Sequence, residues 1–106
     1  MKQAVFVAAL AAMICANPAF ANAELAKSKK CLDCHAASKE GESPSFRSIA
    51  KLYKGTEKAE ARMAEKIKKG GAEHWGPNVM PPAEVRGVKV SDDEAKQLAR
   101  WILSHY

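Results

Sequence analysis

The run Cys31-Leu32-Asp33-Cys34-His35 constrains the fold of this chain more than any other feature. Two thiols three positions apart can form thioethers with the two vinyl groups of one haem. The histidine directly behind them is then placed to meet the iron, so C-x-x-C-H reads as c-type haem attachment. Three other uses compete. A bare Cys31–Cys34 disulfide is chemically open to an exported chain. A redox-active C-x-x-C calls for a thioredoxin-like βαβ setting, which the hydrophobic pattern lacks. A zinc site needs four ligands, and only His74 and His105 remain to join these three. Export and a helical pattern together favour haem.

The first residues read as a leader to be removed. Lys2 is the only charge before Glu24, Ala4 to Ala16 form an apolar run of thirteen, and Ala19-Phe20-Ala21 or Ala21-Asn22-Ala23 offers a small-residue cleavage site. These are the parts of a secretory signal peptide, expected over 1–21 with 1–23 as the alternative. Thirteen apolar residues fall short of the roughly 20 that span a bilayer, so no membrane anchor is expected. Ile14 before Cys15 argues against a lipid-modified cysteine. One domain, 22–106, follows. The chain carries a formal net charge of +5, one less without Lys2. That balance suits an acidic partner surface or an anionic membrane, and lacks the aromatic–arginine clustering of a nucleic-acid binder. A solvated lysine-rich surface explains most of it.

The punctuation of the domain is helical. Asn22 offers a cap for a helix from Glu24 towards Cys34. Ser43-Pro44 suggests a cap and first helical position for a second, with Phe46, Ile49, Ala50 and Tyr53 on one face and Gly55 as its stop. Thr56 is a cap candidate for a third, striped by Ala59, Met63 and Ile67 and ended by Gly70-Gly71. Residues 72–90 hold most of the prolines and read as a long irregular segment. Ser91-Asp92-Asp93-Glu94 is a capping box opening a last helix, with Ala95, Leu98, Ala99 and Ile102 inward and Trp101 at the flank. No stretch alternates long enough to make a strand. About four short helices supply only about a dozen large apolar side chains, a thin core for a domain this small. A flat macrocycle at the centre would complete it.

An iron held in a haem has two axial positions, one for His35. Candidates for the other are Met63, Met80, His74 and His105. Met63 falls mid-stripe on a helix, where an ordinary core methionine is the simpler reading, and His105 is at the chain end. His74 would give a bis-histidine site. Met80 lies in Asn78-Val79-Met80-Pro81-Pro82, where prolines stiffen an extended backbone that can hold a thioether towards iron. A His/Met pair would give a closed, high-potential carrier.

The mature sequence resembles the short bacterial class I monohaem cytochromes c, the periplasmic cytochrome-551-like group. The matching stretches are Asn22 to His35, Ser43-Pro44-Ser45-Phe46, Lys66-Ile67-Lys68-Lys69-Gly70, Trp75-Gly76-Pro77, Met80-Pro81-Pro82, Ser91-Asp92-Asp93-Glu94-Ala95 and Leu98 to Ser104. The resemblance implies an all-α class I cytochrome c fold around one covalent haem, with His35 and Met80 as axial ligands. It also implies a Pro44 carbonyl holding the histidine ring, and Trp75 and Lys66 near a haem propionate. Two departures stand out. Ala83 replaces the asparagine that often follows Met-Pro-Pro and can donate to the sulfur, and Ala83 to Val90 makes a longer connection than the family's.

The function implied is single-electron transfer between periplasmic redox proteins such as nitrite reductase, a terminal oxidase or a peroxidase, by a monomer that is not itself an enzyme. Lys27, Lys29, Lys30 and Lys39 flank the haem edge in sequence and would steer acidic partners. A small haem peroxidase or a gas-binding sensor would need Met80 off the iron.

Overall fold

The computed structural model describes residues 18–72, 74–75 and 78–106, with side chains from residue 21 onward. The leader expected over 1–21 lies outside the described residues up to position 17. Four helices follow in order: α1 Pro18–Ser28, α2 Phe46–Tyr53, α3 Ala59–Lys69 and α4 Asp92–His105, with a single 3-10 turn at Cys31–Asp33. Among the described residues there is no strand, only an isolated antiparallel bridge between Gly71 and Met80.

α4 is the hub, packing against the other three helices and most extensively against α3. Its start is the expected capping box: the Ser91 hydroxyl accepts from the Glu94 amide at 3.1 Å, and the Glu94 carboxylate accepts from the Ser91 amide at 3.0 Å. Ala95, Leu98, Ala99 and Ile102 are buried, and so is Trp101, which the periodicity placed only at the flank. At the centre, Phe46 lies 5.6 Å from the Trp101 ring and 5.5 Å from Tyr106.

Helix ends differ from the sequence expectation in four places. α1 passes through Asn22 instead of being capped there, because the alanines around Asn22 propagate helix. It stops at Ser28 rather than running to Cys34, because Lys30 turns left-handed at φ 61° and Ser28-Lys29-Lys30 offers no apolar residue to hold another turn. The cap of α2 is Ser45, not Ser43: its hydroxyl accepts from the Ser48 amide at 3.1 Å, which leaves Pro44 outside the helix with its carbonyl available. Thr56 does not cap α3 but donates to the Tyr53 carbonyl at 2.7 Å, closing α2.

The residue before α3 is instead Lys58, left-handed at φ 55° and without a side-chain cap bond. An L-residue in that conformation costs roughly 1–2 kcal/mol, which asparagine largely escapes while also capping well. Lys58→Asn is expected to raise stability by about 1 kcal/mol, read as a higher urea midpoint with an unchanged slope.

Candidate functional site

The four helices enclose one side of a cavity of about 1130 Å³, its open mouth included. Cys31, Cys34, His35, Pro44, Lys66, Trp75 and Met80, from five separate stretches of chain, all line it. Its remaining wall is mainly carbon, with Phe46, Tyr53, Met63, Ile67, Leu98 and Ile102 among its apolar side chains.

The histidine side is built by the turn after α1. The Cys34 and His35 amides both donate to the Cys31 carbonyl, at 3.3 and 2.9 Å, which brings the two thiols and the ring to one wall. Cys31 is buried and Cys34 exposed. Burial pushes the Cys31 thiol up, the opposite of what a redox-active C-x-x-C requires. Nor do the cysteines and His35 belong to any set of three or more metal-type ligands among the described residues, as a zinc centre would demand.

His35 Nδ1 lies 2.6 Å from the Pro44 carbonyl. A carbonyl can only accept, so Nδ1 carries the proton and Nε2 is the nitrogen left for a metal. The ring also stacks on Phe46 at 5.7 Å and 26°. Pro44 is held in turn by its neighbour: Ser45, 1% exposed, donates to the Glu40 carboxylate at 2.7 Å, and Ser48 bonds the same oxygen. The Phe46 and Arg47 amides close the loop onto the Ala36 and Ala37 carbonyls at 2.9 and 3.0 Å.

The Ser48 hydroxyl, then that of Ser45, holds the Glu40 carboxyl below its usual range. Hydrogen bonds and a lysine do the same for Asp92 and Glu94. A carboxyl whose folded pKa is depressed stabilises the fold above its unfolded value, and that contribution disappears as pH falls through the folded one. The urea midpoint is therefore expected to hold down to about pH 4 and fall below it, with the fall reduced in Glu40→Gln.

The methionine side rests on the end of α3. Gly71 and Met80 exchange two backbone hydrogen bonds, at 2.9 and 3.1 Å, and the Ala83 amide donates to the Lys68 carbonyl at 2.9 Å. Gly70, at φ 67°, lies so close beneath that an added Cβ would sit 2.1 Å from the Met80 carbonyl oxygen. Ala83 is turned into the core, where its methyl offers no donor in place of the asparagine amide. The 83–90 connection folds into a compact turn, with the Val88 amide on the Ala83 carbonyl at 3.1 Å.

Of the alternative ligands, Met63 is a core residue of α3 that also lines the cavity. His74 meets Tyr53 edge-on at 5.9 Å at the cavity wall, and His105 stacks on Trp101 at 6.0 Å at the end of α4. Two contacts escaped the sequence reading. Asn78 donates to the Glu42 carbonyl at 2.9 Å, tying the methionine segment to the histidine loop. Arg86, in the 83–90 connection, reaches back to the carbonyls of Pro81 and Ile67. Neither belongs to a motif; the unexplained loop length was the only hint of the second. The lysines are also divided: Lys29 pairs with Glu94 at 3.1 Å and donates to the Lys89 carbonyl at 2.6 Å, and Lys30 donates to the Arg86 carbonyl at 3.2 Å. Lys27 and Lys39 are exposed.

A broad carbon-walled cavity with two thiols and an imidazole on one wall fits a haem joined by two thioethers. Trp101, also in that wall, has a buried Nε1 without an acceptor among the described residues, a polar position an occupant with acceptor groups suits. The fold and cavity thus define a c-type haem protein.

Known proteins agree. The family model described as Cytochrome c matches residues 21–105. Cytochrome c-552 of Hydrogenobacter thermophilus is 47% identical over 85 residues, covering 80% of this chain and 82% of that one. Cytochrome c-551 of Pseudomonas aeruginosa is 42% identical over 80 residues, covering 76% and 72%. The crystal structure of Nitrosomonas europaea cytochrome c552 superposes with a TM-score of 0.70 at 40% identity, covering 77% of this chain and 96% of that one. The chain belongs to the cytochrome c family, as a short class I monohaem member with a covalently attached haem c, and shares that family's role as an electron carrier.

Proposed function

We propose that the protein is a periplasmic electron carrier whose haem is attached through Cys31 and Cys34 and ligated by His35 and Met80, shuttling single electrons between respiratory redox enzymes. The observation that carries this reading is the His35 Nδ1–Pro44 hydrogen bond of 2.6 Å, which fixes the ring and leaves Nε2 as the nitrogen that would hold the iron. When bound, the haem iron supplies a one-electron couple between ferric and ferrous states. The chain's own residues keep that change small in reorganisation. Pro44 and Phe46 hold the imidazole from two sides, the Gly71 bridge holds the Met80 backbone, and the carbon wall excludes water. Lys66 and Trp75 serve the propionate edge as charge partner and donor.

Electrons pass near Cys31 and Cys34, towards acidic partners of the nitrite reductase, terminal oxidase or peroxidase class. Lys27 and Lys39 supply the steering charge, since Lys29 and Lys30 are engaged within the fold. Residues 1–21 direct export, and among the described residues no helix is long and apolar enough to cross a membrane.

The test is the optical spectrum of the oxidised protein. The weak long-wavelength band of methionine sulfur on ferric haem is expected, and is expected to vanish in Met80→Ala while the covalent haem persists. A wild-type spectrum without the band would shift the ligand to His74. Rapid stoichiometric carbon monoxide binding to the reduced protein at neutral pH would instead favour a sensor or a small peroxidase.

A further inference from the structure

We infer that Arg86 is a positioning residue for Met80, a clamp through which the 83–90 connection holds the ligand segment against α3. The inference rests on the Met80 ligation proposed above.

The need for a clamp is written in the local chemistry. Between the Met80 amide, which donates to the Gly71 carbonyl at 3.1 Å, and the Ala83 amide, which donates to the Lys68 carbonyl at 2.9 Å, stand two prolines without an N–H. The backbone directly behind the sulfur-bearing residue therefore cannot dock through donors of its own. Arg86 supplies them from outside. Its Nη1 donates to the Pro81 carbonyl at 2.5 Å and its Nη2 to the Ile67 carbonyl at 3.1 Å. One rigid guanidinium thus spans the ligand segment and the helix beneath it, a fork geometry that lysine's point charge cannot reproduce.

The helix end suits this cation. The last carbonyls of α3 carry the negative end of its dipole and need donors. The Gly70 amide takes Lys66 at 2.8 Å, the Ala83 amide takes Lys68 and Arg86 takes Ile67. Arg86 is itself fixed: its amide donates to the Pro82 carbonyl at 3.1 Å, and its carbonyl accepts from Lys30 Nζ at 3.2 Å. It also lines the cavity, so the clamp acts beside the haem rather than at a remote surface.

The consequence concerns how readily Met80 leaves the iron. Imidazole binds ferric haem only when the sulfur has moved away, so its apparent affinity reads the population of the open form. Arg86→Met keeps the stem and removes both donors. Its imidazole affinity is expected to rise about tenfold, together with faster hydrogen exchange at the Met80 and Gly71 amides. Arg86→Lys, which can satisfy one carbonyl at a time, should fall between it and wild type. Lys29→Met is the control, since it removes the bond from Lys29 to the Lys89 carbonyl at the far end of the same connection, along with the Lys29–Glu94 ion pair. It should lower the melting temperature yet leave imidazole affinity near wild type.

The inference is overturned if Arg86→Met and wild type bind imidazole equally, or if Lys29→Met raises the affinity as much. The first result would leave Met80 ligation standing provided the wild-type methionine band is present. A wild-type protein lacking that band would remove the ligation reading and the clamp with it.

Discussion

Gly70→Ala is expected to destabilise the haem-loaded protein by about 2–5 kcal/mol and to weaken the methionine band. Two costs combine. The position has φ 67°, and the new methyl would meet the Met80 carbonyl oxygen at 2.1 Å, with the Pro81 carbonyl carbon and the Pro82 nitrogen both at 2.8 Å. Those are backbone atoms, so no side chain can swing aside; the Met80 segment has to lift from α3. Gly55→Ala separates the two costs, because Gly55 has φ 79° and nothing within 4 Å of an added Cβ. It should lose about 1–2 kcal/mol and keep the band unchanged. Denaturant unfolding of both variants, followed at the haem absorbance, is the measurement. A Gly70→Ala protein no less stable than Gly55→Ala would mean the segment does not rest on the helix end.

The second large effect concerns the cofactor as part of the core. A Cys31→Ala/Cys34→Ala protein prepared without haem is expected to show no cooperative thermal transition. Phe46, Met63, Ile67, Leu98, Trp101 and Ile102 all turn part of their surface to the cavity. Only 1–8% of each is open to water, so the loss is one of packing: without the macrocycle their cavity-facing atoms have nothing to touch, and each forfeits a share of the roughly 1.5–3 kcal/mol a large buried side chain contributes. Against a total stability on the order of 5–15 kcal/mol, the sum removes the margin. Near-ultraviolet dichroism should be lost while part of the helical signal remains. A sharp transition close to that of the loaded protein would show that the helices pack without the haem.

Much of this arrangement is legible in the residues. The C-x-x-C-H run, the Ser91 capping box and the stripe of α4 act through neighbours at most four positions away, so local spacing reveals them. The helix ends were less legible. Ser43 and Ser45 are equally good capping residues on paper, and Ser45 takes the role once Glu40 and Ser48 gather around its hydroxyl. Lys29 and Lys30 look like free surface charge until Glu94, Arg86 and Lys89 are brought to them by the packing of α1 on α4. Arg86 is the clearest case. Its two acceptors, the carbonyls of Ile67 and Pro81, are backbone atoms, which leave no trace in residue identity and can be found only in three dimensions.

The Gly71–Met80 bridge has a consequence for how such a protein can diversify. Because it pins both ends of the eight-residue stretch from Ala72 to Val79, that stretch can change in composition or length without dragging the ligand. Doubling a closed loop adds only about 0.6 kcal/mol of closure entropy. Changes between the two pinned ends are thus decoupled from the Met80 backbone, as long as Asn78 keeps its bond to the Glu42 carbonyl.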